Sequence, residues 1–151
     1  MQVINRKYNR EYTSLEKYEA GIILNGAEVK SVKAGYAKID EAYVRVLDNE
    51  VFIINMQIPI YKFASPLNYD PARRRKLLLN KKEIIRLTTK LASGNLTIIP
   101  LSCYNKKNLI KVEIALSKGK KTWETKRVEK DQDMKRNAEK ELREYKNIRN
   151  S

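Results

Sequence analysis

Basic side chains are concentrated between residues 73 and 86, where seven Lys or Arg stand against one acidic residue, Glu83. Guanidinium and ammonium groups along one strip can bind the phosphates of a nucleic acid backbone. A smaller group follows at residues 118–121. A run of charge can also do no more than keep a surface soluble, so a solvated cationic face is the alternative. The seven are Arg73, Arg74, Arg75, Lys76, Lys81, Lys82 and Arg86.

Aromatic side chains could supply stacking chemistry, since nine tyrosines accompany two phenylalanines. Tyrosine offers a face for an unpaired base and a hydroxyl for a phosphate or ribose. Tyr12 and Tyr43 are candidates, although either could be a core tyrosine with its hydroxyl at the rim. Trp123 follows Lys120 and Lys121 in a segment with little apolar sequence around it. Its indole is therefore predicted to stack on a base or an arginine.

Enzymatic chemistry finds little support in the residue types. The chain has no histidine, which removes the commonest general base and every Ser/His or Cys/His pair. Cys103 lies in an apolar run and is predicted to be a buried, inert thiol. No glycine-rich phosphate loop is present. A Mg²⁺-dependent nuclease using carboxylates such as Asp40, Glu41 and Asp70 remains a possible alternative.

Composition predicts one domain and an anionic partner. The chain has 151 residues, a formal net charge of +14 and a pI near 9.8. Such a field attracts RNA, DNA or an anionic membrane. No run of apolar residues reaches the length of a signal peptide or a membrane span, so we predict a cytoplasmic protein. A basic tail lying on anionic lipid is a weaker option, because its apolar stripe is thin.

Two helices are marked by the same start signal. Asn25 and Asn80 are each followed three residues later by glutamate, Glu28 and Glu83, which is the spacing of a capping box. Gly35 and Gly94 are placed to end these helices in a left-handed conformation. Between the strands and the second helix, residues 59–75 contain three prolines and predict a long surface loop.

Apolar and β-branched runs predict strands paired through hairpins. Asp48-Asn49-Glu50 is turn chemistry for the first hairpin, and residues 105–108 form the turn of the second, with two lysines at its tip. Pro100 implies an edge or a bulge. Five or six strands with two helices indicate a mainly β fold, an OB-fold-like closed antiparallel barrel with flanking helices. The predicted strands are residues 18–24, 42–47, 51–58, 96–104 and 109–116.

The sequence divides into a barrel domain, residues 1–117, and a basic tail, residues 118–151. The tail from residue 117 onward has twelve Lys or Arg against seven acids. An isolated helix of about twenty residues with one narrow apolar line is only marginally stable in water. We predict a tail that is disordered or fraying until it binds a partner, with packing against the barrel as the alternative. The line consists of Met134, Ala138, Leu142 and Tyr145.

Several spaced motifs together resemble the small protein B family, the bacterial tmRNA-binding proteins of ribosome rescue. The resemblance covers nearly the whole chain and keeps the family order. Its motifs are Tyr18-Glu19-Ala20-Gly21, Glu28-Val29-Lys30-Ser31, Ala34-Gly35, Tyr43-Val44, Asp70-Pro71, Arg75-Lys76-Leu77-Leu78-Leu79, Lys111-Val112 and Lys118-Gly119-Lys120-Lys121.

The resemblance implies an OB-fold barrel that binds the tRNA-like domain of tmRNA around its D-loop and elbow. It implies an adaptor that delivers this RNA to stalled ribosomes, and neither an enzyme nor a protein with a cofactor, a metal or a small-molecule substrate. Carried over by motif, RNA binding falls on Glu19, Leu78, Asn80 and Lys111. The full set of predicted RNA contacts is Tyr12, Glu19, Tyr43, Arg75, Lys76, Leu78, Asn80 and Lys111.

For the tail, the resemblance implies a segment that becomes helical in the empty mRNA channel beyond the decoding centre of the small subunit. The stalled peptide would then be tagged and the ribosome released. The ribosome and elongation factor Tu are the implied protein-containing partners, and no membrane is involved. At position 123 this chain has Trp where some relatives have His. The tail residues predicted to act there are Lys118, Gly119, Lys120, Lys121, Trp123, Lys126 and Arg127.

Overall fold

A computed structural model of the protein describes residues 2–61 and 68–120. The predicted apolar line of the tail lies outside the described residues, as do Lys121, Trp123, Lys126 and Arg127. The elements in chain order are β1 (Gln2–Ile4), α1 (Tyr8–Glu11), β2 (Tyr12–Ile22), α2 (Gly26–Lys33), β3 (Tyr43–Leu47), β4 (Glu50–Ile54), β5 (Arg75–Leu78), α3 (Lys81–Ala92), β6 (Leu96–Lys106) and β7 (Leu109–Gly119).

Six of the strands close into an antiparallel barrel. Strands β6, β3, β4, β5, β2 and β7 are each hydrogen-bonded to the next, and β7 pairs with β6 to complete the ring. Strand β1 adds to the outer side of β6. The predicted closed barrel with flanking helices is therefore confirmed. Sequence patterns missed β1 and β5, each of which is four residues long or shorter.

Both hairpins turn through two residues in the left-handed region. Asp48 and Asn49 have φ values of 50° and 64°, and Lys107 and Asn108 have φ values of 50° and 65°. Such turns match the right-handed twist of the strands they join. The two predicted hairpins are confirmed, but the second turn is shorter than the four residues expected, and Lys106 belongs to β6.

Both predicted capping boxes are present. Each asparagine side chain accepts a hydrogen bond from the glutamate N–H, and each glutamate carboxylate accepts one from the asparagine N–H. Gly35 has a φ of 84° just beyond α2. Tyr36 N–H then donates to the Ser31 carbonyl, so the helix ends as its glycine predicts. On α3, Leu87 is fully buried against the barrel.

The barrel interior is filled by Val, Ile and Leu from the strands, and Val32 of α2 and Leu87 of α3 pack into the same cluster. Cys103 is among these buried residues, and burial raises the pKa of its thiol to about 12, which makes it the inert cysteine expected. The predicted irregularity at Pro100 is confirmed as a register shift between β6 and β7. At this irregularity the Asn5 side-chain N–H donates a hydrogen bond to the Pro100 carbonyl at 2.9 Å.

Two strands are longer than their sequence patterns predict. Strand β2 begins at Tyr12, whereas the sequence predicted its start at residue 18. The pattern missed the first half because its half-buried positions are polar or aromatic and do not show the apolar alternation of a strand. Strand β7 continues to Gly119, where Lys118 pairs with Thr13 and Gly119 pairs with Tyr12. The first two residues assigned to the tail therefore belong to a barrel strand.

Candidate nucleic-acid interface

One continuous row of residues crosses five strands on the outside of the barrel. Directly opposite residues in an antiparallel sheet share a face, so successive pairings define this row. The pairs are Gln2 with Tyr104, Tyr104 with Lys111, Lys111 with Gly21, and Gly21 with Leu78. We call these five residues the outer row. Two residues predicted to bind RNA, Leu78 and Lys111, thus lie two strands apart on one face.

Glu19 lies beside the outer row, two residues before Gly21 on β2. Its carboxylate accepts hydrogen bonds from the Tyr104 hydroxyl at 2.5 Å and from Lys106 Nζ at 3.2 Å. These two hydrogen bonds, with the nearby charge of Lys111, hold the pKa of Glu19 below its usual value. Glu19 is therefore ionised at neutral pH and is a fixed hydrogen-bond acceptor at the surface.

Leu78 is half exposed and lies directly opposite Gly21. The side chain of Leu78 is 52% exposed although it lies at the end of a barrel strand. A Cβ placed on Gly21 would stand 3.4 Å from the Cβ of Leu78. Leu78 Cδ1 lies 3.6 Å from the same point, so the leucine side chain packs over Gly21 and covers the backbone of the row there.

Asn80 has a structural role that was predicted separately from its RNA contact. Its Oδ1 accepts the Glu83 N–H at 2.8 Å as the N-cap of α3. The cap uses the side-chain oxygen, and the residue is exposed, so its Nδ2 amide is the group with which a ligand could bond. Replacing Asn80 by alanine would remove both groups.

Arg75 does not fit its predicted role in phosphate binding. Its side chain is fully buried, and Nε donates to Glu28 Oε2 at 2.5 Å. Nη1 and Nη2 donate to the carbonyl oxygens of Met56 and Pro71. A guanidinium enclosed in this way holds β5, α2 and the preceding loop together and cannot reach a phosphate outside. We therefore remove Arg75 from the proposed contacts.

The basic cluster of residues 73–86 is largely paired with acids that are distant in sequence. Lys76 Nζ is 3.5 Å from Glu50 on β4, whereas the sequence places only Glu83 close to these cations. Such pairing leaves fewer charges for phosphates than the sequence suggested. The remaining pairs are Arg73 with Glu28 at 2.6 Å and Arg86 with Glu16 at 2.6 Å, while Arg74 lies over the Phe52 ring.

Tyr12 and Tyr43 lie at the other end of the barrel from Lys111. Both are half-buried and pack on a small satellite cluster with Tyr8, and the rings of Tyr8 and Tyr12 stack with centroids 5.7 Å apart. Burial, followed by Glu11 charge, raises the pKa of Tyr12. About nine residues of β2 separate Tyr12 from Gly21, roughly 30 Å along the strand. These tyrosines are not part of the outer row.

The segment that leads to the tail starts at this aromatic end. Lys118 and Gly119 are exposed and occupy the last positions of β7. The Tyr8 hydroxyl hydrogen-bonds Ser117 Oγ at 2.7 Å one residue earlier. Of the residues predicted to meet the ribosome, Lys118, Gly119 and Lys120 are the ones that the structure describes.

Several residues of the interface were not singled out from the sequence as RNA contacts. Tyr104 belongs to the outer row, and Lys106 binds Glu19 from the same strand. The signal lay in the hairpin: counting back from a two-residue turn pairs Tyr104 with Lys111. Together the site offers the Lys111 ammonium group for a phosphate, a carboxylate that can accept from a base amino group, and an apolar side chain, while Lys106 is already paired with Glu19.

Two of the carboxylates named for the nuclease alternative each bond a different protein group. Asp40 Oδ1 accepts the Arg6 N–H at 2.9 Å, and Glu41 pairs with Lys7. Across residues 2–61 and 68–120, no group of three His, Cys, Asp or Glu side chains is placed to hold a metal ion. In the same residues, no helix is long and apolar enough to cross a membrane.

Comparison with known proteins gives one consistent match. A curated relative from Sulfurihydrogenibium sp., described as an SsrA-binding protein, is 46% identical over 92% of this chain and 91% of its own. Another so described, from Aquifex aeolicus, is 45% identical over 92% and 89%. A solved structure described as "tmRNA-SmpB: a journey to the center of the bacterial ribosome" is 42% identical, with a TM-score of 0.66 over 80% of this chain and 85% of that one. The family model described as SmpB protein matches residues 2–144, so this chain belongs to the SmpB protein family.

Proposed function

We propose that this protein binds the tRNA-like domain of tmRNA and delivers it to stalled ribosomes as the adaptor of trans-translation. The proposal assigns RNA binding to the barrel and ribosome contact to the tail. It makes the protein a cytoplasmic binding module without a catalytic group, metal or small-molecule substrate of its own.

The observation that carries the proposal is the outer row. Leu78 and Lys111 come from strands far apart in sequence and share one face, with Glu19 beside them. Lys111 suits a phosphate of the backbone, and the ionised carboxylate suits the amino group of one base. Contacts of both kinds are what a protein needs to bind a folded RNA in one orientation.

The proposed division of labour follows the two ends of the barrel. The row occupies the Gly21 end of β2, while β7 leaves the barrel at Gly119, beside Tyr12. We propose that the residues from Lys120 onward enter the decoding centre and the empty mRNA channel. Elongation factor Tu would join the same complex through the RNA and the ribosome.

The test separates binding from tagging. We expect truncation after Lys120 to leave affinity for a tRNA-like-domain transcript within about twofold and to abolish peptide tagging in a reconstituted translation system. This cut keeps Lys118 and Gly119, because removing them would shorten β7. Lys111→Ala should weaken RNA binding about tenfold, the effect of roughly 1.4 kcal/mol from one charged contact.

A matched control is Lys90→Ala, which removes one exposed charge on α3 outside the row. Filter-binding titrations at one salt concentration compare the variants. If the truncation reduced RNA binding as strongly as it reduced tagging, the division of labour would be wrong. Equal affinity of the intact protein for an ordinary tRNA would contradict the proposed partner.

A further inference from the structure

A groove runs along the free edge of β1. It encloses about 860 Å³ and lies between β1 and the segment that joins α2 to β3. Strand β1 has β6 on one side, and within the part of the chain described here no strand pairs with its other side. The residues that line the groove include Gln2, Ile4, Arg6, Tyr36, Lys38 and Pro59.

The groove begins where the outer row ends. Gln2 is directly opposite Tyr104, so the same residue closes the row and lines the groove. Ile4 follows on the same face of β1 and is 58% exposed. An RNA strand that crosses the row from Leu78 towards Tyr104 would therefore reach this groove without leaving the surface.

The cations of the groove differ from those of the basic cluster. Neither the Arg6 nor the Lys38 side chain makes an ion pair with any residue in the ranges 2–61 and 68–120, whereas Arg73, Lys76 and Arg86 are all paired. The one acid in the groove wall, Asp40, accepts the backbone N–H of Arg6. Two unpaired positive charges thus flank an open groove.

An aromatic surface completes the site. Tyr36 is 44% exposed and stacks on Tyr61 with ring centroids 6.5 Å apart. The segment carrying Tyr36 is fixed in place, since Lys38 and Gln57 exchange both backbone hydrogen bonds at 2.8 and 2.9 Å. A supported tyrosine ring next to cations is the arrangement on which unpaired bases stack.

We infer that this groove is a second RNA subsite, which takes unpaired nucleotides of the same RNA that the outer row binds. Tyr36 stacks on a base, and Arg6 and Lys38 bind the flanking phosphates. The inference rests on the proposed function for the identity of the RNA. A peptide strand is a poorer fit, because the three residues of β1 offer few backbone hydrogen bonds. A peptide backbone also carries no charge that Arg6 and Lys38 could bind.

The first test measures salt dependence. The double variant Arg6→Ala, Lys38→Ala should weaken binding of the tRNA-like-domain transcript. It should also make the negative slope of log K against log salt shallower by about 1.4, since two phosphate contacts are lost at ~0.7 each for a single strand. Lys30→Ala with Lys90→Ala removes the same charge from exposed sites outside the groove. Equal slopes for the two double variants would overturn the inference.

The second test locates the RNA by photocrosslinking. Benzoylphenylalanine is placed at Tyr36 in the full chain, and in a separate protein at Leu78. We expect crosslinks from both positions to the transcript, with those from position 36 on unpaired nucleotides. Crosslinks from position 78 alone would refute the second subsite and leave the proposed function standing. No crosslink from either position would count against the subsite and the proposed function alike. Crosslinks from position 36 to a protein in lysate, and not to RNA, would also overturn the inference.

Discussion

Glu28 is the one buried acid within residues 2–61 and 68–120, and Glu28→Ala tests how far the fold depends on it. The side chain is 1% exposed. Its Oε1 accepts from Arg73 Nη2 at 2.6 Å and from the Asn25 N–H at 3.0 Å, and its Oε2 accepts from Arg75 Nε at 2.5 Å. Removing the carboxylate leaves the fully buried guanidinium of Arg75 without its counter-charge.

The expected cost follows from that orphaned charge. Breaking a buried ion pair by removing one partner costs about 3–5 kcal/mol. A domain of this size is stable by about 5–15 kcal/mol, so the variant should fold but lose much of its margin. At about 4 °C for each kcal/mol, the midpoint of thermal unfolding should fall by roughly 12–20 °C. Circular dichroism melts and urea titrations measure both quantities.

Glu83→Ala is the matched control, because Glu83 occupies the same capping-box position on α3. Glu83 bonds only the Asn80 N–H and is not buried with an arginine. Its loss should cost about 1 kcal/mol, as expected for part of a helix cap. Equal destabilisation by the two substitutions would refute the reasoning, since it would mean that the cap, and not the buried charge, sets the effect.

The same network predicts how stability depends on pH. Burial raises the pKa of Glu28, but hydrogen bonds from Arg73, the Asn25 N–H and Arg75 outweigh it and hold the pKa below 4.5. A carboxyl with a lowered folded-state pKa contributes stability above its unfolded pKa and loses it as pH falls through the folded value. Glu28→Gln, which has no such titration, should therefore show a flatter loss of stability below about pH 4.5 than the natural chain.

Two further results are expected. Hydrogen bonds from Arg86 and Tyr18 lower the pKa of Glu16 to about 2, so its carboxyl carbon should titrate near that value by NMR and move towards 4.5 in Arg86→Gln; an unchanged midpoint would contradict the pairing. Asn80→Asp keeps the cap acceptor of α3 but removes the amide donor, so it should melt like the natural chain yet bind RNA about tenfold more weakly, the effect of ~1.4 kcal/mol. Full RNA affinity in that variant would remove Asn80 from the interface.

Sequence patterns predicted the parts of the fold whose signals are local. Capping boxes, left-handed glycines and apolar runs each involve residues within a few positions of one another. The four residues of α1 and the three of β1 are too short to show a period. Strand β5 was hidden because its first core position is Arg75, and an arginine is an interior residue only when a partner such as Glu28 is brought to it.

The candidate site was predictable to the extent that hairpin register is. Lys111 and Glu19 were named through the family resemblance, but Tyr104 joins them only when β6 and β7 are paired through a two-residue turn. Lys107-Asn108 has no glycine, the residue that usually marks such a turn, so the sequence indicated a longer one. An error of one residue in register would have turned Tyr104 to the opposite face of the sheet.

Net charge and charge pairing carry different information about an RNA-binding protein. The total of +14 depends only on composition, so it correctly indicated an anionic partner. Pairing depends on the fold: Glu16, Glu28 and Glu50 come from three separate elements to neutralise one basic stretch. A cation that already has a buried or bidentate acid must lose that partner to bind a phosphate, whereas the side chains of Lys111 and the groove residue Arg6 form no ion pair within residues 2–61 and 68–120. Affinity for RNA should therefore depend more on these scattered cations than on the densest basic run.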